Sequence, residues 1–198
     1  MGDLHRTDLR IIEVGCGAAW FTPSLTTFGA VTGTDLSDEL LAKAQVRHPN
    51  ISFVAGDFMT LDFGSDPFDV AVALEVLSHV ADQPAFLAKI ARLLRPGGYL
   101  MMATQNKPVL QDYNRIPPPS VGQLRRWVDA KELRELLGTH FDVLEVNSVT
   151  PKADHGLMRI ASSSKVDKVI STMVGNSFRD FLERRGLGST LMALARMR

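Results

Sequence analysis

The sequence LRIIEVGCGAAW spans residues 9–20 and sets the architecture that we expect for the whole chain. Its apolar half, which contains Ile11 and Ile12, predicts a short buried strand of a parallel sheet. Gly15 and Gly17 follow, and glycine lets the backbone turn sharply and lets a ligand approach without meeting a Cβ atom. We expect a helix after the glycines, with free N–H groups that face this ligand. A strand, a glycine turn and a helix predict the nucleotide-binding corner of a doubly wound α/β sheet.

The spacing of small residues distinguishes between two classes of nucleotide cofactor. A dinucleotide-binding turn needs small residues at its first, third and sixth positions, and Trp20 occupies the sixth. Tryptophan is too large where a helix packs closely on a strand, so the turn argues against a nicotinamide cofactor. The alternative pattern is an acidic residue followed by Gly-x-Gly, which Glu13, Gly15 and Gly17 match. This short pattern also fits a simple tight turn, so the rest of the chain has to decide.

Length and charge limit the class of protein. The chain has 198 residues, enough for one domain with a full core, and we expect a single domain over residues 1–198. Its 22 basic and 22 acidic side chains leave no net charge that would attract nucleic acid or an anionic membrane. A single cysteine, Cys16, suits a reducing compartment, and no apolar run reaches the roughly 20 residues that span a bilayer. We therefore expect a cytoplasmic protein that binds neither nucleic acid nor membrane.

Acidic residues follow the second and third predicted strands. Asp35 ends a strand at residues 30–34 and lies about 20 positions after Glu13, the separation at which such folds place a ribose-binding carboxylate. A carboxylate can accept hydrogen bonds from both ribose hydroxyls. A helix-capping role for Asp35 is the structural alternative, although Ser37 is better placed as the cap. Asp57 follows the next predicted strand, where an acidic side chain in a turn is also common.

The later segments continue to alternate between strands and helices. Phe68–Leu74 predicts a fourth buried strand, and the apolar spacing of residues 83–94 predicts a helix that faces the sheet. The other expected elements are a strand at residues 99–104, a capped helix at 129–137, a strand at 141–146 and a helical segment at about 165–185. The last segment, residues 190–195, is compatible with a final strand or with an amphipathic helix.

Five short segments occur in an order that identifies a family. They are residues 13–17, 33–35, 56–57, 74–80 and 94–98. This set covers roughly residues 9 to 106 and resembles the class I S-adenosylmethionine (SAM) methyltransferases, and the last two segments are most similar to the small-molecule branch that includes the ubiquinone-type enzymes. The resemblance implies a Rossmann-like α/β sheet of seven strands, mostly parallel, with the last strand antiparallel between the fifth and sixth. Ala19 departs from the family, in which many members have a third glycine at this position.

The resemblance also implies a cofactor site for SAM and its product S-adenosylhomocysteine (SAH). The implied cofactor-binding residues are Glu13, Gly15, Gly17, Asp35, Leu36, Asp57, Phe58 and Leu74. Within this set, Glu13 would lie beneath the methionine end of SAM and Asp35 would bind the ribose. The carboxylate of Asp57 would take the adenine amino group, and the backbone N–H of Phe58 would meet the adenine ring.

His79 is the candidate catalytic base. Methyl transfer from a sulfonium donor is an in-line displacement that needs aligned reactants, exclusion of water and often a proton acceptor. Imidazole suits the last role because it ordinarily titrates near neutral pH. A histidine that only caps or packs the next helix is the structural alternative. Ligands bind beyond the carboxyl ends of strands in such sheets, so we expect Ser78, His79 and the loop 107–120 to form the acceptor walls.

The residues and the resemblance together predict a SAM-dependent methyltransferase that acts on a small molecule, and they favour oxygen as the methylated atom. Methylation at nitrogen or carbon, or an inactive SAM-binding module, are the alternatives. No metal site is expected, because no acidic cluster follows the fourth strand. The proline-rich loop 107–120 and the segment 151–185 are expected to cover the acceptor side as lids. The sequence does not specify an oligomeric state.

Overall fold

The computed structural model describes residues 6–149 and 187–198 of the chain, which form one α/β unit around a single sheet. The expected helix at about 165–185 and the lid segment 151–185 lie outside the described residues. The strands are β1 (Leu9–Val14), β2 (Gly29–Asp35), β3 (Ser52–Ala55), β4 (Phe68–Leu74), β5 (Leu94–Gln105), β6 (Phe141–Val149) and β7 (Thr190–Met197). They are ordered β3-β2-β1-β4-β5-β7-β6 across the sheet.

The direction of the strands confirms the predicted fold class. Strands β1 to β5 pair in parallel, and β7 runs antiparallel to both β5 and β6 between them. The alternative of an amphipathic helix at residues 190–195 is wrong. Leu191, Ala193 and Ala195 are buried while the residues between them are more accessible, and this period of two is the pattern of a strand rather than a helix.

In the described residues, four α-helices flank the sheet: α1 (Thr22–Leu25), α2 (Asp38–Arg47), α3 (Gln83–Leu93) and α4 (Ala130–Leu137). Two of them, α2 and α4, begin at the caps expected from the sequence. The Ser37 hydroxyl accepts a hydrogen bond from the Leu40 N–H at 3.3 Å, and the Asp82 carboxylate accepts from the Ala85 N–H at 2.9 Å. Asp129 and Glu132 form the predicted capping box of α4.

The core lies on both faces of the sheet because successive strand residues point to opposite sides. The face of the sheet that carries Ile12 packs against α3, where Phe86, Leu87 and Ile90 are fully buried. Ile11 belongs to a second, smaller cluster on the other face. Covering both faces leaves the carboxyl edge of the parallel strands as the place where a ligand can enter.

The first helix begins only after the glycine turn has ended. Helix α1 is a single turn that starts only at Thr22, because Gly15, Gly17 and Ala19 all have φ values in the left-handed region (72°, 52° and 58°), which a right-handed helix cannot contain. The N–H groups of Gly15 and the next residue both donate to the Thr34 carbonyl, at 2.7 and 3.0 Å. These two N–H groups therefore tie the glycine turn to β2.

Candidate active site

A cavity of about 530 Å³ opens at the carboxyl ends of β1 to β4, where a doubly wound sheet binds its ligand. Its walls are residues 14–15, 34–36, 56–59 and 74–76, which are at or just after the ends of these strands, together with residues 79–82, Phe86 and Leu124. We call it the strand-end cavity. Its volume falls within the range of about 300–1,000 Å³ that is usual for small-molecule sites.

Most of the predicted site residues meet in this cavity. Those that line it are Gly15, Asp35, Leu36, Asp57, Phe58, Leu74 and His79. Glu13 and Gly17 do not line it, although each lies within two residues of one that does. The structure thus brings together segments from four strand ends that the sequence separates by some 60 residues.

The glycine turn needs each of its glycines for a different reason. A Cβ atom on Gly15 would overlap the side chain of Val76, so this glycine lets the end of β1 approach the segment after β4. A Cβ atom on Gly17 would have open space within 4 Å, but the φ of Gly17 is 52°, in the left-handed region that favours glycine, and its N–H donates to the Asp35 carboxylate at 2.8 Å. Gly17 therefore acts on the cavity through Asp35.

Asp35 presents a carboxylate that backbone groups hold in place. One oxygen accepts from the Gly17 N–H at 2.8 Å, and the other accepts from the Ser37 N–H at 3.0 Å. A carboxylate offers about four lone-pair sites, so acceptor capacity remains on both oxygens for a ligand. The helix-capping alternative does not describe Asp35, because the cap of α2 is Ser37.

Asp57 and Phe58 lie in a tight turn after β3. One Asp57 carboxylate oxygen accepts from the Met59 N–H at 2.9 Å, and the Asp57 carbonyl accepts from the Thr60 and Leu61 N–H groups. These hydrogen bonds within the turn are what the structural alternative for Asp57 predicts. They involve only one of its two carboxylate oxygens. The ring of Phe58 packs against Phe86 at a centroid distance of 5.3 Å, so its side chain belongs to the core.

Glu13 and Cys16 are buried beneath the glycine turn. In the described part of the chain, one carboxylate oxygen of Glu13 has no hydrogen-bond partner, and burial raises the pKa of this carboxyl. Burial and the nearby carboxylates of Glu13 and Asp35 raise the pKa of Cys16 to about 12. The thiol therefore stays protonated near neutral pH and is unsuited to act as a nucleophile.

His79 and Ser78 have different surroundings, although they are neighbours in the turn Leu77–His79. His79 is exposed and lines the strand-end cavity, and its N–H donates to the Val76 carbonyl at 2.9 Å. Ser78 is fully buried and does not line the cavity, which corrects its expected place in the acceptor wall. The loop 107–120 also contributes no residue to this cavity, and Leu124 lies there instead.

The segment 124–128 reaches the cavity because it is fastened to the turn that carries His79. The Arg126 N–H donates to the Ser78 carbonyl at 2.8 Å, and the Arg126 guanidinium donates to the Ala81 carbonyl at 3.1 Å. The buried amide of Gln83 donates to the carbonyls of Leu77 and Arg126, at 3.0 and 2.9 Å. No sequence pattern marks this connection, since its partners lie more than 40 residues apart.

The strand-end cavity is acidic. Asp35, Asp57, Glu75 and Asp82 line it, and no lysine or arginine does so among the described residues. A second cavity, of about 620 Å³, lies beside α4 and has lysine, arginine and glutamate side chains in its walls, but it shares no residue with the strand-end cavity. Residues 6–149 and 187–198 contain no group of three His, Cys, Asp or Glu placed to hold a metal ion and no helix that could cross a membrane.

The chain resembles known proteins over its first half. Residues 12–102 match the family model described as a methyltransferase domain. The chain is 38% identical over 104 residues to a ubiquinone biosynthesis O-methyltransferase from Rhodopseudomonas palustris (strain BisB5), and this alignment covers 50% of this chain and 41% of that protein. It is 39% identical over 100 residues to the phthiotriol/phenolphthiotriol dimycocerosates methyltransferase from Mycobacterium leprae (strain TN), and this alignment covers 48% of this chain and 37% of that protein. The matches thus span about two fifths of these curated relatives.

The fold extends this likeness over nearly the whole chain. A crystal structure of a SAM-dependent methyltransferase from Mesorhizobium loti superposes with a TM-score of 0.70 at 22% identity, covering 97% of this chain and 92% of that one. At this identity the likeness concerns the fold alone. The order and direction of the seven strands agree with the sheet expected for this class of domain.

Proposed function

We propose that this chain, which carries a class I SAM-dependent methyltransferase domain over residues 12–102, binds SAM in the strand-end cavity and transfers the methyl group to a small molecule. The charge of the cavity carries this assignment. SAM has positive charge on its sulfur and amino group against a single carboxylate, and four carboxylates with no lysine or arginine among the described lining residues favour a ligand with this excess of positive charge. The same walls would repel the diphosphate of a dinucleotide, so the charge of the cavity disfavours NAD. Trp20 is 84% exposed and precedes α1, so the expected clash of its side chain in a helix–strand contact does not apply.

The residues of the cavity suit the parts of SAM. Asp35, which the N–H groups of Gly17 and Ser37 orient, offers its remaining lone pairs to the ribose hydroxyls. Glu13 lies under the turn, where its carboxylate favours the positive methionine end. Leu36 and Leu74 give the cavity an apolar lining beside these polar groups. SAM itself would supply the electrophilic methyl group, which its sulfonium sulfur carries.

His79 is the proposed base of the reaction. It lines the cavity after β4, and an unprotonated imidazole nitrogen there can take the proton that an acceptor hydroxyl loses when it gains the methyl group. Val80 and Leu124 line the same part of the cavity and help to exclude water. Oxygen is the proposed site of methylation because a relative 38% identical over half of the chain is named an O-methyltransferase. We place the reaction in the cytoplasm, which suits a chain with one cysteine.

Calorimetric titration with SAM, SAH and NAD tests this proposal. We expect the chain to bind SAM and SAH and not NAD. Asp35→Ala should weaken SAM binding by about 1.5–3 kcal/mol, the scale of a hydrogen bond to a charged group, and the exposed Asp66→Ala serves as the control. Binding of NAD in place of SAM would refute the assignment.

The same preparations test His79 by methyl transfer from labelled SAM to a metabolite library with mass-spectrometric detection. His79→Ala should lower turnover by about 10²–10⁴-fold and leave the SAM dissociation constant within a few-fold. A folded variant with normal turnover would assign His79 to a structural role.

A further inference from the structure

Glu75 has a backbone conformation that its side chain does not favour. Its φ is 61°, in the left-handed region that residues other than glycine rarely adopt. The other non-glycine residues with positive φ in the described segments are Ala19 and Arg115, and neither lines the strand-end cavity. Such conformations persist where the surrounding structure holds them, and they concentrate at functional sites.

Hydrogen bonds from two neighbouring strands hold Glu75 in this conformation. Its N–H donates to the carbonyl of Ala103 on β5 at 2.8 Å. Its carboxylate accepts a hydrogen bond from the hydroxyl of Thr190 on β7 at 3.3 Å. Glu75 therefore lies where the ends of β4, β5 and β7 meet, and it lines the same cavity as His79.

The carboxyl group of Glu75 has no cationic partner among the described residues. No lysine or arginine forms an ion pair with it in residues 6–149 and 187–198, and none of these residue types lines the cavity in that part of the chain. Burial raises the pKa of Glu75, whereas the Thr190 hydroxyl and the nearby His79 oppose this shift. Glu75 is nevertheless exposed at the cavity wall, and a carboxylate there without a cation favours a ligand that supplies a hydrogen-bond donor or a positive charge.

We propose that Glu75 selects the methyl acceptor: it accepts a hydrogen bond from a hydroxyl or amino group of the acceptor and disfavours acceptors that carry a carboxylate or phosphate near the methylated atom. This inference rests on the proposed methyl transfer and adds a substrate class to it. The class is that of neutral or cationic small molecules with a hydroxyl or amine donor beside the reacting atom. The positive φ of Glu75 and the hydrogen bond that its carboxylate accepts from Thr190 orient the carboxylate toward this donor.

Three catechols that differ only in the charge of their substituent test the proposal. They are dopamine (cationic), methyl 3,4-dihydroxybenzoate (neutral) and 3,4-dihydroxybenzoate (anionic). Binding of each to the SAH-saturated chain is measured by calorimetry, and methyl transfer from SAM is measured in parallel. We expect the cationic and neutral compounds to bind at least about tenfold more tightly than the anion.

Variants then assign this preference to one residue. Glu75→Gln keeps the size of the side chain and removes its charge, so the preference among the three catechols, measured as the ratio of their dissociation constants, should fall to about threefold or less. Glu75→Gly should lose the preference equally and should fold, because glycine adopts a positive φ without strain. Glu145→Gln, which changes an exposed glutamate on β6, should keep the full preference.

Two results would overturn the role of Glu75. The first is a wild-type chain that binds SAH but shows no preference among the three catechols, whether it binds all of them or none. The second is a preference that survives in Glu75→Gln or in Glu75→Gly. Failure of the wild-type chain to bind SAH would instead refute the proposed function itself, so the two failures are distinguishable.

Discussion

At the scale of single residues, Gly15 and Gly17 show how two glycines of one turn meet different demands. Both have positive φ, which costs any other residue about 1–2 kcal/mol. Only Gly15 also faces another side chain, that of Val76, at a distance that leaves no room for a Cβ atom. Ala19 already bears the free-energy cost of a positive φ, because its φ is 58°. It is buried, and it occupies the position where many family members have glycine.

A pair of alanine substitutions separates these two costs. Gly17→Ala should destabilise the chain by about 1–2 kcal/mol, since only the backbone conformation is penalised. Gly15→Ala should cost about 2–5 kcal/mol, because overpacking against Val76 adds to the same penalty. Urea unfolding of both variants gives the comparison. Equal losses would show that Val76 moves aside freely.

The buried carboxyl of Glu13 predicts a pH effect on stability. Burial raises its pKa in the folded state, so this state binds the Glu13 proton more readily than the unfolded chain does. The contribution to stability is present below the ordinary glutamate pKa of about 4.3 and is lost as the pH rises through the raised folded value. Relative to the wild type, Glu13→Gln should therefore gain stability as the pH increases from about 4 to 7.

Urea unfolding at several pH values measures this difference, and Glu145→Gln, an exposed glutamate, provides the control. Taking the difference from the wild type removes the effects of the other carboxyl groups, which both proteins share. A difference for Glu13→Gln that does not change with pH would contradict the raised pKa.

At the scale of secondary-structure elements, the segment 124–128 and the turn Leu77–His79 act as one wall of the cavity. Gln83, the first residue of α3, joins them because its amide donates to a carbonyl of each. Its side chain is almost completely buried, with 3% exposure, so water cannot replace these hydrogen bonds. The position of His79 thus depends on a residue that does not line the cavity.

Gln83→Leu should destabilise the chain by about 1–3 kcal/mol, the cost of leaving buried carbonyl groups without a donor. Gln45→Leu is the matched control, because the Gln45 amide also donates to loop carbonyls, those of Pro49 and Ile51, but from an exposed position. It should cost less than about 1 kcal/mol, since water can satisfy these groups. Denaturant unfolding of the two variants makes the comparison, and similar losses would contradict a special role for Gln83.

At the scale of the whole molecule, net charge and local charge give different information. The 22 basic and 22 acidic side chains balance, yet the described walls of the strand-end cavity carry four carboxylates and no lysine or arginine. The cavity therefore favours a cationic ligand although the chain as a whole attracts neither sign. Only the folded arrangement concentrates these carboxylates at one edge of the sheet.

Ligand binding to this preformed cavity should stabilise the fold as a whole. SAM at about 100 times its dissociation constant should add about 2.7 kcal/mol to the free energy of unfolding. For a chain of this length, that corresponds to a rise in Tm of about 5–10 °C. Differential scanning fluorimetry over a range of SAM concentrations measures the shift. NAD at the same concentrations is the control and should leave Tm unchanged.

The sequence by itself determined the fold class, six of the seven described strands, the last strand as one of two choices, the caps of two helices and the position of the glycine turn. These features depend on local patterns: Phe68–Leu74 is apolar at every position except Asp69, Ser37 and Asp129 cap the residues just after them, and Gly15 follows a buried strand. The resemblance added the candidate site residues, of which only Glu13 and Gly17 lie off the cavity surface.

The tertiary structure alone decided which side chains share the cavity. Ser78 and His79 are adjacent in sequence, but the direction of a tight turn buries one and exposes the other. Leu124 enters the cavity through hydrogen bonds of Arg126 and Gln83 to residues some 40 positions away, which no local pattern encodes. The conformation of Glu75 likewise depends on β5 and β7, because Ala103 and Thr190 hold it. Contacts between distant segments form only when the strands pack, so their chemistry becomes visible only in the folded chain.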